Sequence, residues 1–146
     1  MTELQVLLIS TLRSNSTVQA ALKNPTATNK SVAENQNFTV AKTTFPLITV
    51  GITSEKAINV QQPGLFQGKR ISECYIEVHI FSKLNTSTES GAIDTAIRAA
   101  LDGKTPSNSV VACYLCQFDS LVQKERDDDT GLWHTITRYK TLAKLI

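Results

Sequence analysis

A chain of 146 residues, 41% hydrophobic and 19% charged, has the size of one domain and enough apolar residues to bury a core without disulfide or metal staples. A net charge of +2, with no Lys/Arg cluster beyond Lys69-Arg70, argues against nucleic acid as a bound partner. The amino end, MTELQVLLISTLRS, starts acidic, and no apolar run approaches the roughly 18–20 residues that cross a bilayer, so the expectation is a soluble, cytoplasmically made protein without a membrane partner.

In chain order, Thr2-Glu3-Leu4-Gln5 has the form of a helix-capping box, and Leu4, Leu7, Leu8 and Leu12 follow at helical spacing. Ser16-Thr17-Val18-Gln19 repeats that signature for a second, short helix carrying Val18, Ala21 and Leu22, which ends at Asn24-Pro25. Residues 26–44 are polar and aperiodic, and are read as a long arm, the alternative being a loop with a weak strand at Phe38-Thr39-Val40. Phe45-Pro46 opens LITVGI, a short buried strand in which Gly51 marks a bulge or a close backbone approach. A second irregular stretch, 53–68, contains the turn Gln62-Pro63-Gly64 and an apolar pair, Leu65-Phe66, suited to docking.

The segment RISECYIEVHIFSK has a period of two. Ser72, Cys74, Ile76, Val78 and Ile80 form a core face, and Glu73, Tyr75, Glu77, His79 and Phe81 form the other. A helix follows over 87–100, with a capping box at Thr86 and Glu89, a stripe of Ile93, Ala96, Ile97, Ala100 and Leu101, and Gly103 as its stop. Strands at 110–119 and 132–142 close the chain, joined through KERDDDTGL, where Asp127-Asp128-Asp129 with Thr130-Gly131 reads as a solvated hairpin turn because calcium-loop spacing is missing. Cys113 and Cys116 lie three apart in a strand and should face opposite ways, so the three cysteines read as packing thiols. This order gives an α+β class: one domain over 1–146, with an antiparallel or mixed sheet of about four strands and two main helices packed on one face.

Glu77 and His79 share a strand face, and His134 could join them if the last strand pairs alongside, which is the minimum for a metal or acid/base site. Alternating polar residues on an uncovered sheet face explain the pattern with less. Tyr75 and Phe81 flank those residues, and Trp133 and Tyr139 share a face of the last strand, a mixture of aromatics and charges that suits a protein contact. Ile71 to Phe81 would span about 36 Å at about 3.3 Å per residue, long for a small domain. Self-association through Tyr75, Glu77, His79, Phe81, Trp133 and Tyr139 is the resulting expectation.

The succession FPLITVG, IEVHIFS, AIDTAIRAAL and WHTITRY resembles the tail-completion, or tail-terminator, proteins of long-tailed bacteriophages, over about two thirds of the chain from Phe45 onwards. The resemblance implies a structural virion part without catalytic residues, cofactor or metal. It implies a ring, usually hexameric, at the head-proximal end of the tail tube. The ring stops tube growth and presents a surface to the head–tail connector or stopper protein, while DNA passes through without specific binding. Assembly in the host cytoplasm, contact with the tail tube protein, and docking through Leu65, Phe66, Lys69 and Arg70 belong to the same expectation. The arm at 26–44 is longer and more polar than this family leads one to expect, and the loop at 53–68 has no counterpart in it. Two alternatives stand beside it: another neck or head-completion protein, and a small metal-dependent enzyme using Glu77, His79 and His134.

Overall fold

Helix α1 (Thr2–Ser14) stops where Asn15 turns the chain into α2 (Ser16–Leu22). The computed structural model describes residues 2–22, 32–34, 45–58, 71–83 and 86–146. The Asn15 side-chain oxygen accepts the backbone N–H groups of Thr17 at 3.0 Å and Val18 at 3.1 Å, which makes Asn15, and not Ser16, the N-cap of α2. The box expected at Thr2 does not form either, since Gln5 donates its amide across the fold to the Val50 carbonyl at 2.8 Å. Asn15→Ala should therefore cost about 1 kcal/mol, read as a lower urea midpoint, while Ser16→Ala stays within a few tenths of wild type.

The sheet is mixed and five-stranded, in the order β1-β2-β3-β5-β4, with β1 and β2 parallel and all other neighbours antiparallel. Its strands are β1 (Val32–Glu34), β2 (Leu47–Ile58), β3 (Ile71–Ser82), β4 (Val111–Arg126) and β5 (Trp133–Leu145), with α3 (Thr88–Leu101) between β3 and β4. Among the described residues, five strands and three helices replace the expected four or so strands and two main helices. The extra strand, β1, lies inside the stretch read as an arm, whereas Phe38-Thr39-Val40 lies outside the described residues. Three residues carry no period. The strand is fixed by pairing with β2 and by Arg13, whose guanidinium donates to the Val32 carbonyl at 2.9 and 2.6 Å.

Strand β2 also outruns its apolar run. Its second half is exposed on both sides and held by the β3 ladder as far as the Ile58–Ile71 pair, with a register shift between Ile52 and Ser54, just past Gly51. Beyond the short β1, this half is an edge bearing Glu55 and Lys56, charges that discourage stray strand pairing.

The three described helices lie on one side of the sheet, over the face that β3 presents with Cys74, Ile76, Val78 and Ile80, none of them exposed. Leu4, Leu8 and Leu12 of α1 and Ile93, Ile97 and Leu101 of α3 complete this core. The box expected at Thr86 and Glu89 is absent. Ser87 occupies the N-cap without a side-chain bond, and Glu89 accepts the Ser82 hydroxyl at 2.8 Å. The other end behaves as expected: Gly103 takes φ 73° and donates its N–H to the Cys116 carbonyl at 2.8 Å.

Strand β4 shifts register three times, and the first shift, between Cys113 and Leu115, overturns the expected geometry of the thiols. One extra residue reverses the parity, so Cys113 and Cys116 both point to the helix side, opposite Ala143 and Thr141. Burial pushes the Cys113 thiol up to about 11 and Cys116 to about 12, so both are protonated packing groups. At the far end the hairpin closes through Gly131, at φ 72°, and Asp129 donates its N–H to the Asp127 carboxylate at 2.9 Å. No helix among the described residues is long and apolar enough to cross a membrane.

Candidate assembly surface

The pleat of β3 sends Glu73, Tyr75, Glu77, His79 and Phe81 to the other face, which carries no helix among the described residues, and each is half-buried. Antiparallel pairing then fixes what stands beside them on β5: Phe81 opposite His134, His79 opposite Ile136, Glu77 opposite Arg138 and Tyr75 opposite Lys140. The charges are matched across the strands, Arg138 donating to Glu77 at 3.2 Å and Lys140 lying 3.6 Å from Glu73.

A chain of hydrogen bonds runs from these pairs across three strands. Glu77 can only accept, so His79 meets it through Nε2–H at 3.3 Å. Nδ1 of His79 is then an acceptor for Nε2–H of His134 at 2.9 Å, and Nδ1 of His134 faces the Gln123 amide at 3.5 Å. The Phe81 ring stacks on His134 with centroids 4.3 Å apart. Burial, reinforced by the charge His79 would carry, pulls His134 down to about 4, so this imidazole is neutral near pH 7.

The sequence-predicted trio Glu77, His79 and His134 is thus brought together, but not around a common centre. His79 gives opposite ring nitrogens to the other two, so the three cannot converge on one ion in this arrangement. No group of three or more His, Cys, Asp or Glu among the described residues is placed to hold a metal.

Tyr139 and Trp133 do not belong to this face. Both alternate with its β5 residues and follow the helix side, where Tyr139 is 0% exposed, meets Phe118 edge-on at 5.7 Å, and has its phenol pushed up by burial. Leu65, Phe66, Lys69 and Arg70 lie outside the described residues. What the sequence reading missed is at the sheet margin. Among the described residues seven large hydrophobics are exposed, and six of them, Val110, Tyr114, Leu121, Val122, Leu145 and Ile146, lie along edge strand β4 or the chain end beside its start. The adjacent pair Leu121-Val122 becomes a signal only once β4 is known to have no outer neighbour among the described residues.

An aromatic, internally ion-paired sheet face thus lies next to an edge strand that bears exposed apolar residues. Among solved structures, a chain of the "Virion of native gene transfer agent (GTA) particle" has a similar fold, with TM-score 0.69 and 11% identity over 97% of this chain and 94% of that one. No curated protein matches. The family model described as "Tail completion protein gp17" matches residues 8–144, and the chain belongs to that family, whose members are structural virion tail proteins and not enzymes.

Proposed function

We propose that the protein forms a ring, six-membered by family resemblance, at the head-proximal end of a phage tail tube, where it ends tube polymerisation and presents the surface that joins the head connector. The observation that carries this reading is the family match over nearly the whole chain. A ring subunit needs a stiff body, and strands of 12 to 16 residues under a helical layer provide one. The helix-free face with Tyr75, Glu77, His79 and Phe81 is turned toward a neighbouring subunit. Leu65, Phe66, Lys69 and Arg70 dock the tube or the connector. A net charge of +2 suits a channel that lets DNA pass without gripping its phosphates.

Electron microscopy of particles made without this protein tests the reading. Headless tubes of excess and variable length are expected. Tubes of normal length attached to heads would refute it, and normal-length tubes lacking heads would point to another neck or head-completion role.

A further inference from the structure

Four polar groups on the helix side of β5 need partners that the strands beside them do not supply. Trp133, Thr135, Thr137 and Tyr139 take alternate positions there, so their side chains follow one another along one face. Trp133 Nε1, Thr135 Oγ1, Thr137 Oγ1 and the Tyr139 hydroxyl are all buried and meet no hydrogen-bond partner among the described residues. Thr135, Thr137 and Tyr139 are 2%, 0% and 0% exposed. Thr141, the next in the row, shows the contrast, since its hydroxyl donates to the Cys74 carbonyl at 3.0 Å. An unpaired buried polar group is costly, and folded proteins rarely keep one, still less a run of four.

The neighbouring side chains explain why the row is left unpaired. On β3 it lies beside Ile76, Val78 and Ile80, and on β4 Phe118 and Leu121 stand opposite Tyr139 and Thr137. The backbone of β5 is engaged in both ladders. Helix α3 remains. Its Gly91, Asp94 and Arg98, three and four residues apart, form one flank. Arg98 lies over the Phe118 ring at 3.9 Å and pairs with Asp94 at 3.1 Å, which turns this flank toward β4 and β5. Burial pushes the Tyr139 phenol up and the Asp94 charge adds to the push, so that carboxylate stands near the row. The Thr137 hydroxyl opposes part of it without reaching bonding geometry with the phenol. A Cβ added at Gly91 would meet nothing within 4 Å, so the flank is not tightly packed there.

We infer that ordered water molecules lie along this row and bridge Trp133, Thr135, Thr137 and Tyr139 to one another and to Asp94. An interior water makes about three hydrogen bonds, and proteins hold roughly one such water per 27 residues, so a short file is ordinary for a chain of 146. The chemistry of the groups suits it. Hydroxyls donate and accept, the indole N–H donates, and the Asp94 carboxylate has lone pairs beyond those that meet Arg98. Helix α3 then rests on the sheet in two ways, dry through Ile93, Ile97 and Leu101 and through water along Asp94.

Magnetic relaxation dispersion of water oxygen, measured on the full chain, counts long-lived internal waters and tests this. Thr137→Val and Tyr139→Phe each remove a hydroxyl and keep the shape of the side chain, and Thr135→Val replaces either one that fails to fold. Wild type should show a dispersion, and each folded variant should lose the amplitude of at least one water. The double variant should lose less than the two single losses added, because Thr137 and Tyr139 share a bridge. Thr141→Val is the control, its hydroxyl being bonded to the protein already, and should leave the amplitude unchanged. No dispersion in wild type would overturn the inference. So would an amplitude that the folded variants leave intact, or one that Thr141→Val lowers as much as they do. Intact amplitude with a raised urea midpoint would show in addition that the hydroxyls are dry and unpaired.

Discussion

Ile76→Ala should lower the unfolding free energy by about 2–5 kcal/mol, while Tyr75→Ala, one residue earlier, should cost about 1 kcal/mol or less. Both residues sit in the middle of β3, paired to β2 and β5 in the same ladder. They differ only in the face they occupy. Ile76 is completely buried between Ile52 and Tyr139 under the helices, where removing three carbons leaves a cavity that rigid neighbours cannot fill. Tyr75 is half-buried on the helix-free side beside Lys140, so truncation there re-exposes a surface already partly wet. Phe81 should fall between the two, because its ring stacks on His134. Urea unfolding with an unchanged m-value separates these cases. Equal losses at positions 75 and 76 would mean that the helix-free face is packed as tightly as the core, and the assembly reading of that face would go.

The contrast on β3 could be read from the sequence because its two faces differ in polarity over most of their length, Cys74, Ile76, Val78 and Ile80 against Glu73, Glu77 and His79. Strand β5 shows why the same logic failed elsewhere. Trp133 and Tyr139 were correctly placed on one side of it, but WHTITRYKTLAK has no apolar side to orient. The side turned to the helices carries Thr135, Thr137 and Thr141, all buried, and the opposite side carries Ile136 and Leu142. Only pairing with β3, which sets Tyr139 beside Ile76, decides which side faces inward. Other misreadings share this cause. The TSEKA segment of β2 is exposed on both sides and is a strand because β3 supplies its hydrogen bonds. The thiols of Cys113 and Cys116 share a side because a bulge inserts one residue, which spacing in sequence cannot reveal. The family resemblance survived these errors because it rested on the order of blocks around β2, β3, α3 and β5, not on which way any one side chain pointed.

Acidification should destabilise the protein between about pH 6.5 and about pH 4, and His134 should account for a share of that loss. In the unfolded chain His134 titrates near the ordinary histidine value of about 6.5, but in the folded protein it titrates near about 4. Across that interval the unfolded state holds a proton that the folded state refuses. Stability is therefore fully present above about 6.5, falls as pH drops, and stops changing on this account below about 4. A displacement of this size corresponds to at most about 3 kcal/mol, and a ring that remains partly accessible to water will show less. The surroundings explain the sign. His79 adjoins the ring at 2.9 Å and opposes a second positive charge, Phe81 covers one flank, Gln123 offers only a neutral dipole, and the attraction of Asp127 is too weak to compensate. Glu77 is held by Arg138 and by the far nitrogen of His79, so its charge is already shared. Urea unfolding of wild type and His134→Gln at pH 7.5, 5.5 and 4.5 isolates the effect, since the glutamine can keep a hydrogen bond but cannot take up the proton. The variant should be the less stable protein at pH 7.5, where the stacked ring is lost, and the gap should narrow or reverse by pH 4.5. Parallel stability curves across that interval would show that His134 accepts its proton equally well folded and unfolded, and that the imidazole pair is solvated and not packed.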